Sequence, residues 1–355
     1  LKENIKNRKD ATTILSKVET VKLVSHFICG SIVRNLRYAM GIYMIGYVIL
    51  FILLTLVILI IAASWVLSNI ILKPKVVPPD KLYQREVDRG RLSEKIYQSW
   101  EKEDFLIKSR YGYDLSCQLI NNDLSKEQFL DPDNRLKIAV LCHGYTCGKY
   151  SSMVYASMFL KRGITVLTYD HRNHGFSGKA HTSMGYYEKF DLQTVLDWCY
   201  SEFGPNLAIV THGESMGAAT VLSHHAIDRR VRCTIADCGY SSLEALLRHQ
   251  LKKYYHIPAF PFLPVAKLLV RLRAGFWLGD VVPMEGAVQS HAPILFIHGL
   301  EDDYVPYYMS QTMYDAKPDK KELYLAPNAK HAQSCEKNTA EYELVIENFL
   351  DKYYY

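Results

Sequence analysis

Residues 38–72 carry no charged side chain, and the centre of this stretch, residues 48–63, is almost wholly Ile, Leu and Val with one Thr. A membrane-spanning helix needs about twenty apolar residues, so the run is long enough to span. A cleaved signal peptide would have only ~7–15 apolar residues and then a small-x-small site. Here the run is longer, and Trp65 to Leu72 stays bulky. The pattern predicts a signal anchor over 38–72, with Trp65, Tyr38, Tyr43 and Tyr47 as interfacial side chains. Residues 1–37 form a polar tail. The chain does not open on Met, and Met40 or Met44 offers an alternative start. Pro74, Pro78 and Pro79 mark a semi-rigid linker, placed at 73–101, with a helix over 91–103 at its end.

Beyond the linker the periodicity alternates. Residues 104–110 and 113–120 read as a hairpin turned at Tyr111-Gly112. Residues 121–134 are polar and loop-like. Continuous apolar runs at 136–142, 164–169, 206–211, 231–236, 293–298 and 322–326 read as strands. Helical patterns lie between them at 149–162, 188–203 and 216–227, and a last helix runs over 339–352. Alternation of this kind predicts an α/β fold, a mostly parallel sheet covered on both faces. In such sheets the site lies beyond the carboxyl ends of the strands. The stretch from Asp237 to Pro293 is too long for a simple crossover. It predicts an inserted helical cap at about 240–290, with helices at 241–255 and 265–276. Its Tyr254, Tyr255, Phe260, Phe262, Phe276 and Trp277 are expected mostly to pack the insert, and in part to roof the site for acyl or aromatic groups.

Composition narrows the function classes. The net charge of +5 comes largely from the first forty residues, which hold eight Lys or Arg against three acids. No basic stripe is interleaved with aromatics, so a nucleic-acid partner is not expected. The eight cysteines are scattered with no C-x-x-C, and no zinc or redox site is expected. Orientation of the anchor is balanced. Cations close to the run favour a cytoplasmic domain, and a count over the full tail reverses this. Free cysteines suit a reducing side; a short tail before a large C-terminal domain suits an outer-face enzyme, which is the expectation adopted.

The chemistry centres on Gly213-Glu214-Ser215-Met216-Gly217, a G-x-S-x-G pattern between a strand and a helix. A serine hydroxyl attacks only when a base takes its proton, and that base needs an orienting carboxylate. Glu301, Asp302 and Asp303 follow a later strand, and His331 lies in a loop before the last helix. Among other histidines, His143 and His174 (with Asp170) are expected to shape loops. His212 should point away from the serine, His224 and His225 should be partly exposed, and His298 should pack.

Five pieces carry a resemblance: His143-Gly144-Tyr145, the run from Asp170 to Ser177, the motif at Ser215, the run from His298 to Pro306, and Lys330-His331-Ala332. From about residue 102 onward the chain resembles the α/β-hydrolase family, most closely bacterial S33-type serine aminopeptidase and esterase members that follow a membrane anchor. The resemblance implies Ser215 as nucleophile, Asp302 as the acid and His331 as the base. It implies an oxyanion hole from the backbone N–H groups of Tyr145 and Met216. No cofactor and no metal are implied.

The expected activity is cleavage of a carboxylic ester, or of a thioester or amide, through an acyl-enzyme, on a small acyl substrate. An aminopeptidase or acyltransferase would use the same three residues. A binding protein on a hydrolase fold is the alternative of another class, and the completeness of the three positions ranks it low.

Overall fold

The computed structural model of the protein describes residues 2–121 and 130–355. Of the polar stretch 121–134, residues 122–129 therefore lie outside the described residues. The chain divides into two compact units, one ending at Ala62 and one running from Ala63 to Tyr355. The first is most of a single helix, α1 (Lys2–Leu72). Over Leu15–Leu72 this helix is long and apolar enough to cross a membrane, with a mean hydropathy of 3.1 in its richest stretch.

The second unit is built on eight strands: β1 (Lys102–Lys108), β2 (Asp114–Ile120), β3 (Leu136–Cys142), β4 (Thr165–Tyr169), β5 (Leu207–Glu214), β6 (Val231–Asp237), β7 (Ile294–Gly299) and β8 (Lys321–Ala326). They form one sheet in the order β1-β2-β4-β3-β5-β6-β7-β8. β2 pairs antiparallel with β1 and β4, and every other pairing is parallel. All residues of β3 and β5 are buried, because helices cover both faces of the sheet.

The two-residue period decides which face each side chain feeds. On β3, Ala139 and Leu141 enter one core, and Ile138, Val140 and Cys142 enter the other. The first core is closed by α3 (Glu94–Ser99), α4 (Met153–Leu160) and α12 (Thr339–Tyr353), through residues such as Tyr97, Phe159 and Phe349. The second is closed by α5 (Glu188–Phe203), through Leu192, Val195 and Leu196. Register places Cys142 opposite Gly213, Glu214 opposite Asp237, and Gly299 opposite Ala326. The carboxyl ends of the parallel strands thus share one edge.

The insert after β6 holds α7 (Leu243–Tyr254), α8 (Phe262–Ala274) and α9 (Pro283–Gln289). Its core contains Leu246, Leu247, Leu263, Val270 and Phe276, together with Leu67, Ile71 and Leu72 from the end of α1. The apolar run read as an anchor to Leu72 therefore ends, from Ala63 on, as a packed part of the second unit.

The stretch 73–101 contains an additional helix, α2 (Pro79–Asp88), whose Leu82 is buried. The helix expected over 91–103 is confined to α3, where Ser93 accepts from Ile96 N, and the chain has turned into β1 by Lys102. His224 and His225, expected at the surface, are buried in α6 (Met216–His224) and its C-cap. His225 is bonded to the Thr234 hydroxyl at 2.8 Å.

Candidate active site

β5 ends at Glu214 and α6 begins at Met216, so Ser215 alone makes the reversal. Its backbone is at φ 57°, ψ −111°, a conformation that costs a non-glycine residue free energy and needs support. The neighbouring glycines allow it. A Cβ on Gly217 would stand 2.0 Å from the Cys142 carbonyl, and one on Gly213 would stand 2.3 Å from the backbone of Gly217. Strand, turn and helix can be this close only without those side chains. Other non-glycine residues with positive φ gather at the same edge: Thr146 after β3, Cys238 after β6 and Ala332 after β8.

The structure brings Ser215, His331 and Asp302 together. Ser215 Oγ is 2.9 Å from His331 Nε2. His331 Nδ1 is 2.7 Å from Asp302 Oδ2. With the proton on Nδ1 donated to the carboxylate, Nε2 is left to accept from the serine hydroxyl. Ser215 and Asp302 are buried, and the His331 side chain is partly open, with the Tyr304 ring 5.0 Å from its own.

Asp302 is held on all sides. Oδ1 accepts from the backbone N–H groups of Tyr304 at 3.0 Å and Val305 at 2.9 Å. Oδ2 accepts from His331 and also from His298 Nε2 at 3.1 Å. His298 Nε2 lies 2.8 Å from the Val305 carbonyl as well, so its proton is on Nε2 and Nδ1 accepts from Ser310. Burial would raise the Asp302 carboxyl, but the bonds from His298 and His331 outweigh it and hold it at about 2. Asp303 instead faces Tyr254 and Lys253 at the surface. Cys238 lies near Asp302 and His331, with ligand-type atoms of all three within 4.8 Å of one another. The Nδ1 of His331 and Oδ2 of Asp302 are already engaged with each other.

Gly144 and Tyr145 follow β3 and pass directly over the elbow; a Cβ on Gly144 would stand 3.6 Å from Ser215 Cβ. The backbone N–H groups of Tyr145 and Met216 donate to no backbone carbonyl among the described residues. Two histidines shape this turn. His143 bonds the Gly144 carbonyl through Nδ1 and takes the His171 N–H on Nε2. His174 Nε2 takes the Thr146 N–H at 3.2 Å. His212 turns away from Ser215 and pairs with Tyr342.

One half of the site is absent from the sequence reading. The Glu214 carboxylate is buried and pairs with Arg91 at 2.7 Å and with Tyr155. Burial opposes its ionisation, and Arg91 overcomes this and lowers it. Arg91 follows α2, in the stretch expected as a linker, close to Arg85 and Arg89. The signal was available: an acid at the x of G-x-S-x-G is buried under the elbow and demands a cation.

A cavity of about 570 Å³ opens on Ser215. Its walls are Arg85, Arg89, Arg91, the 144–147 turn, Glu214, Tyr304 and the 331–333 loop, with Glu336. None of the cap aromatics expected as a roof lines it. Their place is packing or the outer surface: Phe276 is fully buried, and Phe260, Tyr254, Tyr255 and Trp277 are exposed.

The sequence profile of the serine aminopeptidase, S33 family matches residues 133–239, which contain Tyr145 and Ser215. The uncharacterized protein YqkD of Bacillus subtilis is 36% identical over 299 residues, covering 83% of this chain and 94% of the relative. The chain belongs to the α/β-hydrolase family. Solved members share the fold. An esterase of Pyrococcus furiosus superposes with a TM-score of 0.58 at 22% identity, over 74% of this chain and 95% of its own. The acylaminoacyl peptidase of Pyrococcus horikoshii gives 0.52 at 18% identity, over 73% of this chain and 43% of its own. This α/β-hydrolase therefore shares its fold with those structures, and its arginine-bearing segment 79–91 lies ahead of the matched profile.

Proposed function

We propose that the protein is a membrane-anchored serine hydrolase that cleaves carboxylic esters through an acyl-enzyme on Ser215. The observation that carries this reading is the continuous hydrogen-bonded line from Ser215 through His331 to Asp302. In the proposed reaction His331 Nε2 takes the Ser215 proton as Oγ attacks the carbonyl carbon of the ester. Asp302 keeps the imidazole in the required tautomer and stabilises its charged form. The oxygen that becomes negative is received by the N–H groups of Tyr145 and Met216, each such donor typically contributing roughly 3 kcal/mol. His331 then returns the proton to the leaving alcohol. A water activated by the same nitrogen attacks the acyl-enzyme, releasing the acid and restoring Ser215 Oγ–H.

Anchoring through α1 rests on its length and hydropathy. The outer-face location expected from the tail is tested by protease protection of sealed vesicles. The S33 description of the matching profile favours an amide substrate as the second reading; the acyl-enzyme is the same.

The test is labelling of the detergent-solubilised full chain with a fluorophosphonate. Wild type should label strongly, and Ser215→Ala and His331→Ala should not. Equal labelling of Ser215→Ala, or no labelling of folded wild type, removes the reading and leaves a binding protein on this fold. Matched p-nitrophenyl esters and aminoacyl anilides then separate esterase from peptidase.

A further inference from the structure

The cap presents an apolar ridge that no described residue covers. On α8, Leu263, Ala266 and Val270 point inward and are buried. The opposite side carries Pro264, Leu268 and Leu272, spaced four apart on one line of the helix. Leu268 is 50% exposed and Leu272 is 73% exposed. Phe260, just ahead of the helix, is 77% exposed. Of the cations on the helix, Arg271 is drawn aside to the Gly275 carbonyl and the Trp277 ring, and Lys267 is paired with Glu244 at 2.8 Å. A patch of this kind on a soluble surface marks an interaction site.

The structure also shows what lies beside it. α8 is fastened to the last turns of α1. Ser64 Oγ donates to the Phe262 carbonyl at 3.0 Å. Arg273 bonds Ser68 and Asn69 and lies 4.1 Å over the Trp65 ring. On the same end of α1, Val66 and Ile70 remain exposed. In the chain, the residues that fasten α8 follow directly on the apolar run 48–63, which on the anchoring reading above lies in the bilayer. Exposed Trp65, Tyr254, Tyr255 and Trp277 are side chains suited to the lipid–water boundary. Arg271, on the same helix, is an exposed cation beside Leu272.

From this we infer that α8 is an interfacial helix: the cap docks on the lipid surface through Phe260, Leu268 and Leu272. The occupant is a bilayer and not a second protein, because residues 64–69, to which α8 is fastened, follow the apolar run of α1 without a break in the sequence. Docking has a route to the reaction centre. The Tyr145 hydroxyl donates to the Ile70 carbonyl, and Val77 N donates to the Thr146 carbonyl at 3.2 Å. The turn that offers the Tyr145 N–H is thus tied to the same end of α1 that holds the cap.

This inference rests on the anchoring reading, and one experiment separates the two. In the full chain carrying Cys29→Ser and Cys147→Ser, single cysteines at Val57→Cys, Leu268→Cys, Leu272→Cys and Lys95→Cys are labelled with an environment-sensitive NBD probe. The protein is reconstituted in vesicles of phosphatidylcholine and phosphatidylglycerol, with or without bromine on the acyl chains. The expected result is that the probes at 57, 268 and 272 lose more than half of their emission in brominated lipid, and the probe at 95 does not. Quenching at 57 with 268 and 272 behaving like 95 overturns the docking inference and leaves the anchor in place. A blue-shifted but unquenched probe at 268 means that protein covers the ridge, which also overturns it. No quenching at 57 removes the anchor and the docking surface together.

Discussion

Arg91 and Glu214 meet across 2.7 Å beneath the elbow, and Glu214 is the residue immediately before Ser215. The same guanidinium reaches the Ser151 carbonyl at 3.3 Å and the Ala332 carbonyl at 3.5 Å, next to His331. One side chain from ahead of the sheet therefore touches the turn at Ser215, the loop after β3 and the loop that carries His331.

Removing Arg91 leaves a buried carboxylate without a counter-charge. Arg91→Met is expected to destabilise the folded unit by roughly 3–5 kcal/mol, as breaking one side of a buried pair does. Adding Glu214→Gln should return much of that, because the amide still meets Tyr155 and carries no charge. Thermal unfolding in detergent measures both. If the double variant is no better than the single, the carbonyl contacts at Ser151 and Ala332 are what Arg91 provides.

Asp302 supplies a pH signature. Its folded value of about 2 lies below its ordinary 3.8. A depressed carboxyl stabilises the fold above its ordinary value, and the contribution is lost as pH falls through the folded value. The gap corresponds to roughly 2.5 kcal/mol. The stability advantage of wild type over Asp302→Asn should therefore shrink between pH 5 and pH 2, read as the difference in Tm. At neutral pH the same variant should lose about 10⁴ in kcat, because the imidazole is no longer held in the right tautomer.

Asp237 behaves in the opposite sense. It ends β6 fully buried, bonded to Tyr342 and Ser334. Burial first, and then the charge of Glu214, push its carboxyl up to about 7. The folded protein holds this proton while the unfolded chain releases it, so stability falls as pH rises from 3.8 to 7. Asp237→Asn should lack that fall. Its Tm should gain on wild type across this window, with roughly 4 kcal/mol as the upper bound. A constant Tm difference from pH 4 to pH 8 would show that Asp237 keeps an ordinary value.

The parts legible in the sequence are those set by local pattern. Buried parallel strands wrote themselves as apolar runs, and the tight turn at Ser215 needed glycines on both sides because a Cβ at either would stand 2.0–2.3 Å from neighbouring backbone atoms. What stayed illegible depends on contacts between distant segments. Arg91 meets Glu214 across 123 positions, and no periodicity records that. His224 looked exposed because two adjacent histidines are polar; helix α6 is buried on all sides, and burial holds the His224 ring neutral at about 4. The cap aromatics suggested a roof over the serine, whereas the fold uses the charged segment 85–91 as one wall.

That wall sets a last expectation, on substrate charge. Arg91 is spent on Glu214, and Arg85 has Glu86 behind it at 3.6 Å. Arg89 lines the cavity with no ion pair among the described residues and is exposed. It is the cation left for a ligand. An ester whose acyl group ends in a carboxylate should therefore have a lower KM than a neutral ester of the same length. Arg89→Ala should raise the KM of the charged ester by about five- to tenfold, in keeping with roughly 1 kcal/mol for a solvent-facing pair, and leave the neutral ester and kcat nearly unchanged. The difference should fade in high salt, since exposed charges are screened. Equal changes for both esters would mean that Arg89 acts through the shape of the wall and not through its charge.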